Sequence, residues 1–264
     1  MILITLLLAC APAETTKGSP QAHTPAVTAL ADATDAELES VVYAIGSGSA
    51  QAAQAMVELA ELDATTAESE GLAPCPSLQV ADDGLTIATG SCTSALTGNT
   101  YTGSFTERGL GIMGGEVEDT LQARLDSTGF ELTTSEGHRG SFAGTAAIEI
   151  GSDGSRGSYD LAAEYGQLPP FRNWGEVDCP EVDGAQVCDE SSWHHHVEGL
   201  GVLRISDEAD GSPWRVDGAS DGMTITAPDE GQDFSAEFDD GSTRVFRVFH
   251  AEDLVRAASA ALGD

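Results

Sequence analysis

The run Trp193-His194-His195-His196-Val197-Glu198 carries residue types that readily bind a transition metal. If the run is a β-strand, its side chains alternate between two faces, so His194, His196 and Glu198 project to the same side. Two neutral imidazoles and a carboxylate can hold zinc, copper, nickel or iron, with the distant His250 as a further ligand. The alternative interpretation is a row of solvated or partly packed histidines beside a loop.

Tryptophans near this run offer a different chemistry. Trp174 precedes the histidines and Trp193 begins the run, so the two rings could line a surface recess. With Trp214 they could form a carbohydrate-binding surface, because indole rings combine a large apolar area with a polar edge. The sequence therefore allows a metal-binding protein or metal-dependent hydrolase as one hypothesis and ligand binding through tryptophan as another.

Other catalytic patterns add little. The segment Gly109-Leu110-Gly111-Ile112-Met113-Gly114 matches GxGxxG, but a dinucleotide site needs a strand before it and a helix after it. Because the surrounding pattern is β-rich, we expect a loop or bulge here. No Walker A, HExxH or EF-hand pattern occurs in the chain, so we predict no cofactor and expect a non-enzymatic protein.

Composition excludes several classes of protein. The 264 residues include 11 Lys and Arg against 44 Asp and Glu, giving a net charge of −33. This acidity argues against nucleic-acid binding, which needs clustered basic side chains. Hydrophobic residues make up 41% of the chain, too many for a disordered protein. No long apolar run follows the N-terminus, so no transmembrane helix is expected.

The N-terminus has the features of an export signal. Residues 1–9 are almost entirely apolar, and Leu7-Leu8-Ala9-Cys10 resembles the lipobox of bacterial lipoproteins. The resemblance implies that Cys10 is lipidated and becomes the first residue of the mature chain. Cys10 is followed by Ala11 rather than by Asp, which is similar to the pattern of bacterial lipoproteins that are sorted to the outer membrane. We expect a lipid-anchored outer-membrane protein, on the periplasmic or cell-surface side, with an envelope protein or a polysaccharide as partner.

Four segments follow from these patterns. Residues 1–9 are the signal peptide, and the Pro-, Thr- and Ala-rich residues 10–33 form a flexible tether. Residues 34–71 form a helical hairpin that packs on the rest of the chain. Residues 72–264 form a β-rich domain with a C-terminal helix at about 251–262.

The remaining four cysteines are expected to form two disulfides. A two-residue Asp-Gly turn at 83–84 would make the residue numbers of each opposed pair add up to 167. It therefore places Cys75 opposite Cys92 and Val80 opposite Ile87. A second Asp-Gly turn at 183–184 places Cys179 opposite Cys188. Directly opposed antiparallel residues lie within disulfide range. A zinc site is the alternative, but no CxxC pair is present.

Two further Asp-Gly turns predict hairpins. A turn at 153–154 places Phe142 opposite Tyr165, with apolar side chains on one face of the pair. A turn at 240–241 places Glu237 opposite Arg244 as a surface ion pair. Residues 117–125 fit either a helix or a strand.

Helices frame this β-rich region. Thr34 and Glu37 form a capping box for a first helix, and Ser49 is expected to cap a second. The predicted fold is mainly β, an antiparallel meander or sandwich-like sheet with an N-terminal helical hairpin and a C-terminal helix.

Overall fold

The computed structural model describes residues 28–45, 48–81, 85–108, 121–151, 154–182, 185–186, 194–207, 213–228 and 232–248. The helical elements are a 3-10 turn at Leu30–Asp32, α1 at Asp35–Ile45 and α2 at Gly48–Ser69. The strands are β1 Ser77–Val80, β2 Leu85–Thr89, β3 Cys92–Thr93, β4 Thr100–Arg108, β5 Leu121–Thr133, β6 Arg139–Gly151, β7 Gly154–Tyr165, β8 Phe171–Val182, β9 Ala185–Gln186, β10 His194–Val197, β11 Gly201–Asp207, β12 Trp214–Asp217, β13 Gly222–Thr226, β14 Asp233–Phe238 and β15 Thr243–Arg247.

These strands form one large antiparallel sheet. Its order is β1-β2-β4-β5-β6-β7-β8-β10-β11-β12-β13-β14-β15, and the short strands β3 and β9 pair with β4 and β8. Because neighbours in the sheet are almost always neighbours along the chain, the sheet is a meander. The prediction of a mainly β, antiparallel fold is confirmed. The predicted C-terminal helix lies outside the described residues.

Both helices pack on one face of the sheet, which we call the inner face. Helix α2 contacts β6, β7 and β8, and α1 contacts β8, β10 and β15. Side chains alternate along each strand, so the inner face is apolar and the opposite, outer face is largely polar. On the inner face the rings of Phe105 and Phe130 meet edge to face at 4.8 Å. The core therefore lies between the helical hairpin and the sheet.

A buried carboxylate anchors the far end of α2. Asp63 is fully buried and accepts hydrogen bonds from the hydroxyls of Ser94 at 2.7 Å, Thr97 at 2.6 Å and Tyr101 at 2.8 Å. The pKa of Tyr101 is raised above its ordinary value, first by burial and then by the charge of Asp63. Three hydroxyl donors replace the water that the carboxylate loses on burial.

The helix starts were predicted in part. The capping box is confirmed: the Thr34 amide donates to Glu37 at 2.7 Å, and the Glu37 amide donates to the Thr34 hydroxyl at 3.2 Å. The Ser49 prediction is wrong, because α2 already begins at Gly48 and the buried Ser49 hydroxyl has no hydrogen-bond partner among the described residues. Instead, the Ser49 amide donates to the side chain of Asn173 on β8.

In two hairpins the observed strand register differs by one residue from the predicted register. In both, the sequence Asp-Asp-Gly lies between the two strands. Val80 pairs with Thr86 rather than Ile87, and Glu237 pairs with Thr243 rather than Arg244. Gly241 has φ +83°, which closes a three-residue loop over 239–241 instead of a two-residue turn. Arg244, freed from the predicted pair, donates to the backbone carbonyls of Ala31 and Ala33.

The hairpin of β6 and β7 is shifted by two residues. Phe142 pairs with Ala163, and Gly151 pairs with Gly154, so opposed residues sum to 305 rather than 307. Because side chains alternate with a period of two, this shift leaves every side chain on its predicted face. The predicted separation into an apolar and a polar face therefore holds, although Phe142 does not oppose Tyr165.

The Cys75–Cys92 disulfide is present, with a Cα–Cα distance of 6.0 Å. The two cysteines are not opposed across one hairpin as predicted, because Cys92 belongs to β3 and pairs with Tyr101 of β4. The β8–β9 register is the predicted one, with Val182 opposite Ala185. Cys179 is disulfide-bonded, and its predicted partner Cys188 lies outside the described residues.

The ambiguous segment resolves as strand where it is described. In β5 the side chains of Ala123 and Leu125 are buried, whereas Arg124 between them is exposed. Period-two alternation therefore prevails over the helical spacing. The signal peptide with Cys10 and the GxGxxG segment lie outside the described residues. Among the described helices, none combines the length and the apolar character needed to cross a membrane.

Candidate functional site

The histidine run forms strand β10, and its three imidazoles divide between the two faces of the sheet. His194 is exposed and His196 half-buried on the outer face, while His195 is buried on the inner face. Glu198 follows the strand and is exposed. The predicted alternation is confirmed, since His194 and His196 point to the same side.

The surroundings of His196 disfavour a cation. Its neighbour across the β8–β10 pair is Arg172, whose positive charge, after burial, lowers the pKa of His196. Glu198 acts in the opposite direction but more weakly. Within the described residues no group of three or more His, Cys, Asp or Glu side chains is arranged to hold a metal ion. His250, the further ligand considered, lies outside them.

Trp174 joins an aromatic and charged ladder across three strands of the outer face. Its ring stacks on that of His194 with centroids 5.3 Å apart, and the Arg172 guanidinium lies 5.1 Å from its centroid. The same guanidinium forms two hydrogen bonds of 2.6 Å with both carboxylate oxygens of Asp160. Such bidentate pairing fixes the guanidinium in one plane, so this part of the outer face is preorganised.

The other two tryptophans do not join this ladder. The Trp214 ring is half-buried and stacks against Phe234 at 6.5 Å, as part of the core under β12–β15. Trp193 lies outside the described residues. Of the two tryptophans that the structure describes, Trp174 lies on the outer face and Trp214 does not.

A cleft of about 970 Å³ lies beside this ladder, and we call it the outer-face cleft. Its polar lining includes three guanidiniums, those of Arg108, Arg124 and Arg156. It also includes four carboxylates and two hydroxyls, those of Asp126, Glu149, Glu176, Asp178, Thr106 and Ser158. The small, half-buried side chain of Ala147 is also part of the lining.

Ion pairs hold part of this lining in place. Arg124 Nε donates to Asp126 at 2.6 Å, and Arg156 Nε donates to Asp178 at 3.3 Å. These pairs are exposed, so each contributes little to stability. Their effect is to set donors and acceptors side by side on a rigid sheet.

Local sequence patterns do not reveal this cleft. Each strand showed alternation, and residues two apart, such as Thr106 with Arg108 or Arg124 with Asp126, were recognisable as sharing a face. Which strands lie side by side, and in which register, decides that Arg108 opposes Arg124 across β4 and β5. That information is not local.

Three acidic side chains meet on the inner face. Glu58 and Glu61 of α2 and Glu107 of β4 line a small cavity of about 70 Å³ between the helix and the sheet. The carboxyl groups of Glu61 and Glu107 lie within hydrogen-bonding reach of each other. Burial, and then the charges of Glu61 and Glu58, raises the pKa of Glu107 to about 7.

One sequence pattern associated with a catalytic serine forms a hairpin turn in this structure. Residues Gly218-Ala219-Ser220-Asp221-Gly222 fit GxSxG, the pattern of a nucleophile elbow between a strand and a helix. Here they join two antiparallel strands, β12 and β13, and Ser220 is exposed. Asp221 accepts hydrogen bonds from the amides of Leu30 and Ala31. The segment is a hairpin turn that holds the 3-10 turn.

Comparisons of this chain with protein-family models, with curated proteins and with solved structures find no match.

Proposed function

We propose that this protein is a non-enzymatic, lipid-anchored component of the bacterial cell envelope that binds a neutral polysaccharide in the outer-face cleft. Lipidation of Cys10 would hold it at the outer membrane, and the residues between Cys10 and Thr28 would link this anchor to the folded domain. The observation that carries the binding proposal is the alternation of guanidiniums and carboxylates within one cleft.

The chemistry of the lining matches sugar hydroxyls. A hydroxyl group both donates and accepts hydrogen bonds, so it pairs well with neighbouring guanidinium donors and carboxylate acceptors. The Arg124–Asp126 pair presents such a donor beside such an acceptor. Small apolar residues such as Ala147 suit the C–H faces of a pyranose ring.

The charge distribution favours a neutral ligand over a charged one. Three guanidiniums and four carboxylates leave the described lining with one net negative charge. An anionic polymer would be repelled by the net charge of −33, and a cationic polymer would bind the acidic surface at many places. A neutral, hydroxyl-rich chain is neither repelled nor attracted by the acidic surface as a whole, so it would bind where the cleft offers alternating donors and acceptors.

The anchor is tested by membrane fractionation. The Cys10→Ser chain should move from the membrane fraction to the soluble fraction of cells that express it. A chain that stays in the membrane fraction after this substitution would refute lipidation at Cys10 as the anchor.

The ligand class is tested by affinity electrophoresis of the full-length Cys10→Ser chain through gels containing dextran, mannan or a β-glucan. We expect retardation by at least one of these, reduced about tenfold in affinity by Arg124→Gln. Arg247→Gln is the matched control, because Arg247 pairs with Asp233 at 2.9 Å on β15 and is 58% exposed against 64% for Arg124. Mobility unchanged by every neutral polymer, or equal losses in both variants, would refute the proposal.

A further inference from the structure

We propose that Glu107 and Glu61 form an acid clasp, in which one shared proton holds α2 against the sheet and loss of that proton loosens the helix. This inference is independent of the ligand proposed for the outer-face cleft, because the acid clasp lies on the inner face.

The position of Glu107 makes its charge costly. It lies in β4, where its direct neighbours are Thr86 on β2 and Leu125 on β5. Helix α2 covers it with Glu61 and Glu58. No Arg, Lys or His among the described residues lines the cavity, so the described lining offers no positive charge to balance the carboxylates.

The hydrogen bond between the two carboxyl groups requires a proton. An ionised carboxylate only accepts hydrogen bonds, so Glu61 and Glu107 can be bonded only when one of them is protonated. Oε2 of Glu107 is buried, and no donor among the described residues bonds to it. A proton shared with Glu61 therefore supplies a hydrogen bond between Glu107 and α2.

The rest of the cavity is small and mostly apolar. Its volume is about 70 Å³, and its walls include Val57, Ala146 and Leu161, which offer a carboxylate no hydrogen bonds. When the proton leaves, the second charge lies against these apolar walls and beside the first carboxylate. The charge is relieved most easily by opening the cavity to solvent.

The helix is the element that can move. Strand β4 is hydrogen-bonded on both sides, to β2 and to β5, whereas α2 rests on the sheet through side chains. We therefore expect the turns of α2 from Gln54 to Glu61 to separate from β4 as the acid clasp ionises. The far end of α2 stays anchored, because Asp63 is held by three hydroxyls.

The expected pH range follows from proton linkage. A solvent-exposed Glu releases its proton near its ordinary pKa of 4.5, whereas the clasped Glu107 keeps it to about 7. Separation of α2 from the sheet therefore releases one proton between pH 4.5 and about 7. The equilibrium constant for this separation rises about tenfold for each pH unit in that range. It levels off above pH 7.

Hydrogen exchange measured by mass spectrometry on the full chain tests this. After correction for the intrinsic exchange rate, the amides of residues 54–61 should lose protection about tenfold per pH unit between pH 5 and 7. In Glu107→Gln, which keeps a hydrogen bond without an ionisable group, protection should not change with pH. The control Glu164→Gln, an exposed carboxylate on β7, should behave as the wild type does.

A second measurement does not depend on the variants folding. Carbon NMR of the wild-type glutamate carboxyls should show one group titrating near pH 7, which is absent from Glu107→Gln. If all glutamates titrate near 4.5, or if residues 54–61 exchange equally at pH 5 and pH 7 after correction, the acid clasp is refuted.

Discussion

The side-chain amide nitrogen of Asn173 donates a hydrogen bond of 2.8 Å to Nδ1 of His195, its direct neighbour across β8 and β10. The same nitrogen donates to the Ala44 carbonyl near the end of α1 at 2.8 Å, and the Asn173 oxygen accepts from the Ser49 amide at the start of α2. One buried amide therefore ties two helix ends and a histidine to the sheet.

Removing this amide should be costly. We expect Asn173→Ala to lower the free energy of unfolding by about 3 kcal/mol or more, because it leaves the Ala44 carbonyl, the Ser49 amide and Nδ1 of His195 buried without this partner. Urea denaturation followed by circular dichroism measures the loss. Ser49→Ala is the control, since the part of the chain that the structure describes offers the Ser49 hydroxyl no partner, and its removal should change stability by less than about 1 kcal/mol. Equal effects of the two substitutions would contradict this account.

His195 and Glu107 should give opposite pH dependences. Burial lowers the pKa of His195 to about 4, and burial with two neighbouring carboxylates raises that of Glu107 to about 7. Unfolding then makes His195 bind a proton between about pH 4 and 6.5, which weakens the fold as pH falls. It makes Glu107 release a proton between 4.5 and about 7, which weakens the fold as pH rises.

The two effects should cancel in the wild type between pH 4.5 and 6.5 and appear separately in variants. Over this range the stability of Glu107→Gln should rise with pH by about 1 kcal/mol per unit, and that of His195→Asn should fall by a similar amount. Thermal unfolding across the range measures both slopes. Slopes of the same sign in the two variants would overturn the assignment of opposite shifts.

The Asp63 contacts should show graded losses. Tyr101→Phe removes one hydrogen bond to a buried carboxylate and should destabilise the fold by about 2 kcal/mol. Asp63→Ala leaves three buried hydroxyls without their acceptor and should cost more. Thr65→Ala is the control, because the exposed Thr65 hydroxyl bonds only to backbone carbonyls of its own helix. Chemical denaturation should give the largest loss for Asp63→Ala, a smaller loss for Tyr101→Phe and the smallest for Thr65→Ala. A Thr65→Ala loss as large as that of Tyr101→Phe would contradict this account.

Peptide mapping under non-reducing conditions should find two intrachain disulfides. Cys75–Cys92 provides the internal standard, and the β8–β9 register predicts Cys179–Cys188 as the second. Replacing Cys75 and Cys92 by Ser should lower the free energy of unfolding by about 3 kcal/mol, from the entropy of closing a loop with a separation of 17 residues. A Cys179 peptide linked to any cysteine other than Cys188 would refute the second pairing.

Local rules predicted much of the fold. The capping box at Thr34, the antiparallel β pattern and the faces of β6 and β7 depend on residues close together in the chain, so they could be worked out from the sequence. The Asp-Gly signal located turns but not their lengths. Gly241 shows why: in Asp-Asp-Gly the glycine takes the left-handed position of a three-residue loop, which moves the register by one.

The sites depended on contacts that no local pattern contains. The spacing of His194 and His196 predicted a shared face, but only the tertiary structure placed Arg172 opposite His196, where its charge disfavours a metal ion. In the same way, the sequence marks Asn173 only as a polar residue within a strand. Its partners at the ends of both helices are set by the tertiary packing of β8.

The sequence by itself determined the net charge, the candidate lipid anchor at Cys10, the first helix start and the alternation of each strand, because these depend on composition and on neighbouring residues. Tertiary structure decided which faces meet. It brought the carboxyl groups of Glu61 and Glu107, 46 positions apart in the chain, into one cavity, and gathered three arginines from β4, β5 and β7 into one cleft. The physical reason is that burial and charge pairing depend on distances in space, which strand order and register set.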